Sequence, residues 1–188
     1  AALLLVTDEV RARRLSVLDE VRNGLHFLSG PIWDVVPTLA RDIVDALRGI
    51  HSARDSVSVA DLPAFIRYRS WIGGDRDGNP RVTAEKTRLT LDMLARAARE
   101  KVGRDLETIR QELSLSDRRI TPPSDLLEAI EQNAEFDPPD ADALAHAQYE
   151  PFRRRIMQMQ HRLATDDAWT GAAVLNDLER IRTNLHAV

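Results

Sequence analysis

Leu91, Leu94, Ala98, Val102, Leu106, Ile109 and Leu113 recur at spacings of three or four. That period places all seven on one face of a helix of about six turns. Thr83 stands where such a helix needs an N-cap, and Glu85 lies favourably against its N-terminal dipole. Gly103 weakens the run by about 1 kcal/mol relative to alanine without ending it. A helix this long, in a chain most of which reads as helix, points to a mainly α architecture.

The rest of the sequence follows the same period. Leu18, Val21, Leu25 and Leu28 predict a helix from about Val10 to Leu28, ended by Gly30-Pro31. Leu39, Ile43 and Leu47 predict a second, starting at Pro31 or Pro37, since proline is tolerated only in a first turn. Residues 49–63 read as a polar connection. Phe65, Tyr68, Trp71 and Ile72 are strand formers, so about 64–72 is the one expected strand. After the long helix comes a polar break with Pro122-Pro123, then a short helix from Ser124 to Asn133. A helix from Ala141 to Ala164 turns Ile156, Met159 and Leu163 inward, with Pro151 kinking it or opening its second half. A last helix, Gly171 to His186, carries Val174, Leu178, Ile181 and Leu185.

Composition narrows the function classes. A net charge of −4 over 188 residues argues against a general nucleic-acid binder. With no cysteine there is neither a disulfide framework nor a thiolate zinc site. The apolar start, Ala1 to Val6, is too short to span a membrane and lacks the basic flank of a signal peptide. The absence of a starting methionine suggests a piece of a longer protein.

The most unusual stretch is Ser70-Trp71-Ile72-Gly73-Gly74-Asp75-Arg76-Asp77-Gly78-Asn79-Pro80. Glycines let a backbone approach a ligand or another loop closely. Charges crowded this tightly must pair with each other or with something bound. Asp75-x-Asp77-x-Asn79 is not a calcium loop: its Gly is fourth rather than sixth, and Lys86 replaces the bidentate Glu. The glycine spacing fits neither a P-loop nor a dinucleotide fingerprint. Two readings stand level on physics alone: a salt-bridged turn that holds the next helix, or an anion site built from Arg76 and backbone N–H groups.

The other candidate residues read as ordinary packing or surface positions. Trp33, amid Ile32, Val35 and Val36, reads as core. His26, His51, His146, His161 and His186 show no metal-binding spacing, and Arg153-Arg154-Arg155 reads as a solvated helix face. No complete catalytic set can be assembled.

The loop, followed by Val82-Thr83, resembles a signature of the phosphoenolpyruvate carboxylase family. Thr7-Asp8-Glu9-Val10-Arg11, Asp19-Glu20-Val21-Arg22 and Ile32-Trp33-Asp34-Val35-Val36-Pro37 resemble other family segments in order and spacing. Glu112-Leu113-Ser114 and Glu150-Pro151-Phe152-Arg153 match weaker ones. The resemblance implies an internal, single helical fragment spanning residues 1–188, part of a larger α/β barrel enzyme with many added helices. That enzyme carboxylates phosphoenolpyruvate with bicarbonate, giving oxaloacetate and phosphate with Mg²⁺ or Mn²⁺, and is expected to be a cytoplasmic homo-oligomer. Residues 70–83 would border its active site, with Asp75, Arg76, Asp77 and Asn79 on the loop and Trp33 near the substrate's methylene side. The family's catalytic histidine, metal-binding carboxylates and catalytic lysine have no counterpart here. The fragment alone is therefore expected to be inactive and metal-free, with no nucleic-acid or membrane partner. Two rival readings are a self-contained helical interaction module and a small phosphate-ester enzyme using Arg76 and Asp77.

Overall fold

The computed structural model describes residues 15–50, 57–63 and 65–188. The Thr7 to Arg11 segment and the expected helix start at Val10 lie outside these residues. The described elements are helical: α1 (Val17–Phe27), α2 (Trp33–Ile50), α3 (Ala84–Glu112), α4 (Ser124–Gln132), α5 (Ala141–His146), α6 (Pro151–Thr165) and α7 (Gly171–His186). The mainly α reading is borne out. The expected strand is not: residues 65–71 form no regular structure. A strand exists only when a neighbour pairs its N–H and C=O groups, and no described segment supplies that ladder.

The chain divides into two compact units, residues 1–97 and 98–188, and α3 passes from the first into the second. In the first unit, α1 opens with a capping box. Ser16 Oγ accepts from the Asp19 N–H at 3.2 Å, and Asp19 Oδ2 accepts from the Ser16 N–H at 3.1 Å. Asp19 also pairs with Arg22 at 2.9 Å. Gly30-Pro31 does not simply stop α1. A single wide turn, Leu28–Ile32, leaves helical geometry at Gly30 (φ −108°, ψ −108°) and re-enters it at once as α2. Pro31 falls in the first turn after that kink, where its missing N–H costs little. Val17 and Val21 of α1 and Ala40 and Val44 of α2 are buried.

The second unit surrounds α6. Phe152, Ile156 and Met159 are fully buried beside Leu106 of α3, Leu126 and Ile130 of α4, and Val174 and Ile181 of α7. Pro151 opens α6 rather than kinking a longer helix. Residues 147–150 form a separate turn, because proline at the first helical position loses no hydrogen bond. Arg99 of α3 donates to the carbonyls of Leu163 (2.8 Å), Asp166 (3.1 Å) and Asp167 (2.6 Å), so one guanidinium satisfies the C-terminal end of α6.

The Arg153-Arg154-Arg155 run is not a solvated face. Three successive helical residues sweep too wide an arc to share one side, and α6 is central, so its neighbours supply carboxylates. Arg155 is 3% exposed and pairs with Asp177 at 2.8 Å. Burial lowers the pKa of its guanidinium, and Asp177 opposes that shift. Arg154 pairs with Asp137 at 2.6 Å. Burial pushes the Asp137 carboxyl up, but hydrogen bonds from Arg154 and Gln158 outweigh it and hold the pKa below the usual range. Arg153 pairs with Glu150, which also accepts from Ser114 Oγ at 2.8 Å. Glu107 is held at about 2 chiefly by its hydrogen bond from Arg110, with Gln160 also donating to it.

Candidate functional site

The glycine-rich loop lies in the first unit and is built from two consecutive turns. In the first, the Trp71 carbonyl accepts from the N–H groups of Gly74 and Asp75, both at 2.9 Å. In the second, the Arg76 carbonyl accepts from the Asn79 N–H at 3.3 Å. Each turn carries a glycine at its third position with positive φ: Gly73 at 76° and Gly78 at 65°. That is the type II requirement, which residues with a Cβ meet only under strain.

The polar side chains stiffen the turns from within. Asp75 Oδ1 accepts from the Asp77 N–H at 3.0 Å, and Asn79 Oδ1 accepts from the Arg81 N–H at 3.1 Å. Both are local bonds that Asp and Asn make readily in turns. Asp75 and Asn79 therefore shape the loop. The guanidinium of Arg76 and the carboxylate of Asp77 are exposed and meet no hydrogen-bond or ion-pair partner among the described residues. The salt-bridged turn, one of the two readings open from sequence, is thus not what forms. Backbone-directed bonds hold the loop, and Arg76 keeps its charge available.

Two close approaches seat the loop. A Cβ on Gly24 of α1 would lie 2.8 Å from Ile72 Cδ1, so the absence of a side chain there lets Ile72 settle on the helix. A Cβ on Gly73 would lie 2.2 Å from Thr90 Oγ1 of α3. Thr87 Oγ1 donates to the Gly73 carbonyl at 2.9 Å. Thr83 caps α3 as expected, its Oγ1 accepting from the Lys86 N–H at 3.3 Å. A small apolar recess beneath the loop is lined by Val21, Gly24, Leu28, Ile72, Thr90 and Leu94.

Trp33 is half-buried at the start of α2, just past the kink, and does not line that recess. The structure thus gathers Asp75, Arg76, Asp77 and Asn79 on one loop, while Trp33 stands on a different element. Sequence reasoning missed Gly24, Thr87 and Thr90. The only available signal was the spacing of Thr87 and Thr90 on the first turns of the helix that follows the loop.

Among the described residues, no three His, Asp or Glu side chains come together as a group that could hold a metal ion. The donors of the described residues do not fit a divalent-metal site. No described helix is long and apolar enough to cross a membrane.

Comparison with known proteins gives these features a family. Residues 2–185 match the model of the phosphoenolpyruvate carboxylase family. The chain is 47% identical over 115 residues to the phosphoenolpyruvate carboxylase of Rhodothermus marinus, covering 61% of this chain and 12% of that protein. It is 34% identical over 169 residues to that of Thermus thermophilus, covering 90% of this chain and 18% of the relative. A third relative, from an Azoarcus species, is 36% identical over 158 residues, or 84% of this chain and 16% of its own. The chain thus spans less than a fifth of the length of these relatives. No solved structure matches it. With a family match running through both units and across the loop, this chain belongs to the phosphoenolpyruvate carboxylase family.

Proposed function

We propose that this chain is one wall of the active site of a lyase that carboxylates phosphoenolpyruvate with bicarbonate to oxaloacetate and phosphate. The observation that carries the proposal is Arg76: an exposed guanidinium without a carboxylate partner, on a loop whose geometry is fixed by its own turns. A preorganised cation of this kind suits an anionic phosphate or carboxylate group, because its position needs no rearrangement when the ligand arrives.

In this reading Arg76 holds the phosphate end of the substrate while bicarbonate attacks phosphorus. Asp75 and Asn79 keep the loop in shape, Asp77 borders the same face, and Trp33 lies by the methylene carbon that is carboxylated. The family's divalent ion, Mg²⁺ or Mn²⁺, would be held by side chains of the longer protein. The same holds for the proton-transferring groups, which is why the chain by itself should not turn over. Cytoplasmic location and a homo-oligomeric parent complete the proposal.

An exposed aromatic run supports the dependence on a larger protein. Trp71 is 80% exposed, and Phe65 and Tyr68 are nearly half exposed on the same unpaired segment. Strand-forming residues in that state lack the neighbours that would pair and cover them.

The test is a bicarbonate-dependent assay for oxaloacetate. The full-length protein carrying this segment should be active, and the isolated 188-residue chain should give no signal above background. Turnover by the isolated chain, or none by the full-length protein, would refute the proposal.

A further inference from the structure

We infer that Thr87 is a positioning residue for this reaction: its hydroxyl fixes the turn that presents Arg76. The inference rests on the proposed role of the loop. Gly73 is buried and stands at the hinge of the first turn, three positions before Arg76. Thr87 Oγ1 donates to the Gly73 carbonyl at 2.9 Å, a bond that joins positions 14 residues apart. The same hydroxyl lies 3.2 Å from the carbonyl of Thr83. A hydroxyl has one proton to give, so when it faces Gly73 it forgoes the local helix bond.

The consequence is mechanical. The peptide after Gly73 carries a carbonyl held by α3 on one side, and the next N–H groups, of Gly74 and Asp75, are held by the Trp71 carbonyl. With both fixed, the backbone entering Asp75 and Arg76 has one orientation. Without the hydroxyl the Gly73 carbonyl, buried with its residue, has lost its side-chain donor, and the peptide can rotate to seek another. Arg76 would then be displaced without losing any of its own chemistry. Small displacements of a charged group that grips a reacting ligand cost turnover steeply. Thr87 touches no substrate in this account; it acts through Arg76.

The experiment uses the full-length enzyme with four variants, Thr87→Val, Thr87→Ser, Arg76→Ala and Thr87→Val combined with Arg76→Ala. Valine keeps the shape of threonine and removes the hydroxyl. We expect Thr87→Val to lower kcat/KM for phosphoenolpyruvate roughly tenfold, and Thr87→Ser to restore it to within about twofold. In the Arg76→Ala background, adding Thr87→Val should cause no further loss, because the residue it positions is gone. Three results would overturn the inference: wild-type kinetics in Thr87→Val, no recovery in Thr87→Ser, or losses that multiply in the double variant. Should Thr87→Val fail to fold, a Thr87→Ala and Thr87→Ser pair carries the same comparison. Wild-type kinetics in Arg76→Ala removes the proposed role of the loop and this inference with it. A defective Arg76→Ala beside a wild-type Thr87→Val removes only this inference.

Discussion

Gly73→Ala is expected to destroy the loop and, in the full-length enzyme, to lower carboxylation by two orders of magnitude or more. Two independent costs meet at this position. The backbone sits at φ 76°, where an L residue with a Cβ is strained by roughly 1–2 kcal/mol. The new Cβ would also stand 2.2 Å from Thr90 Oγ1 and 3.0 Å from Thr90 Cβ. Thr90 is only 4% exposed and its hydroxyl is bonded to the Lys86 carbonyl at 2.8 Å, so it has little room to retreat. Overpacking of this kind costs about 1–3 kcal/mol. The sum exceeds what two short turns can absorb, so the loop must leave its seat and take Arg76 with it. Gly78→Ala is the internal control. Gly78 has the same sign of φ, at 65°, but open space around it, so only the strain remains. Steady-state kinetics of the two variants should rank them clearly, with Gly73→Ala the worse. Equal effects would show that backbone strain alone governs the loop.

Arg155→Ala should destabilise the second unit by about 3–5 kcal/mol, enough to unfold many domains of this size. The guanidinium is buried and bonded to Asp177, whose own side chain is only 14% exposed. Removing it strands that carboxylate in the packing between α6 and α7 and empties volume beside Leu126 and Ile181. The pair is not thereby a source of net stability, since taking both charges out of water was costly. Arg155→Met combined with Asp177→Leu should recover most of the loss. Urea unfolding followed by circular dichroism distinguishes the cases. A loss below about 1 kcal/mol in Arg155→Ala would mean that the ion pair is open to water, contrary to the burial described.

The contrast between these two sites explains what the sequence could reveal. Helix existence was legible wherever the apolar period was long. The stripe from Leu91 to Leu113 gave α3, and the Val174 to Leu185 period gave α7 with the observed ends. Pro151 was legible as a boundary, though not which of its two roles it would take. The role of Arg155 was hidden, because a row of three arginines looks the same whether its helix is peripheral or central. Only the position of α6 among α3, α4 and α7 turns that residue inward.

The segment from Phe65 to Trp71 misled for a different reason. Its residue types favour a strand, but a strand is a property of two segments, and the second is not among the described residues. The loop was legible as a unit because glycines and charges at fixed spacing are local information. Its seat was not, since Gly24 lies far from it along the chain, and the spacing of Thr87 and Thr90 does not say which groups those side chains meet.

Whether the loop presents Arg76 to an anionic substrate is decided by the steady-state kinetics of Arg76→Ala in the full-length enzyme. We expect kcat/KM for phosphoenolpyruvate to fall about a hundredfold with the melting temperature unchanged, because an exposed guanidinium without a partner contributes nothing to the fold. Arg76→Lys should recover part of that loss, as a point charge replaces a planar fork. A kcat/KM within about twofold of wild type in Arg76→Ala would mean that Arg76 does not grip the substrate.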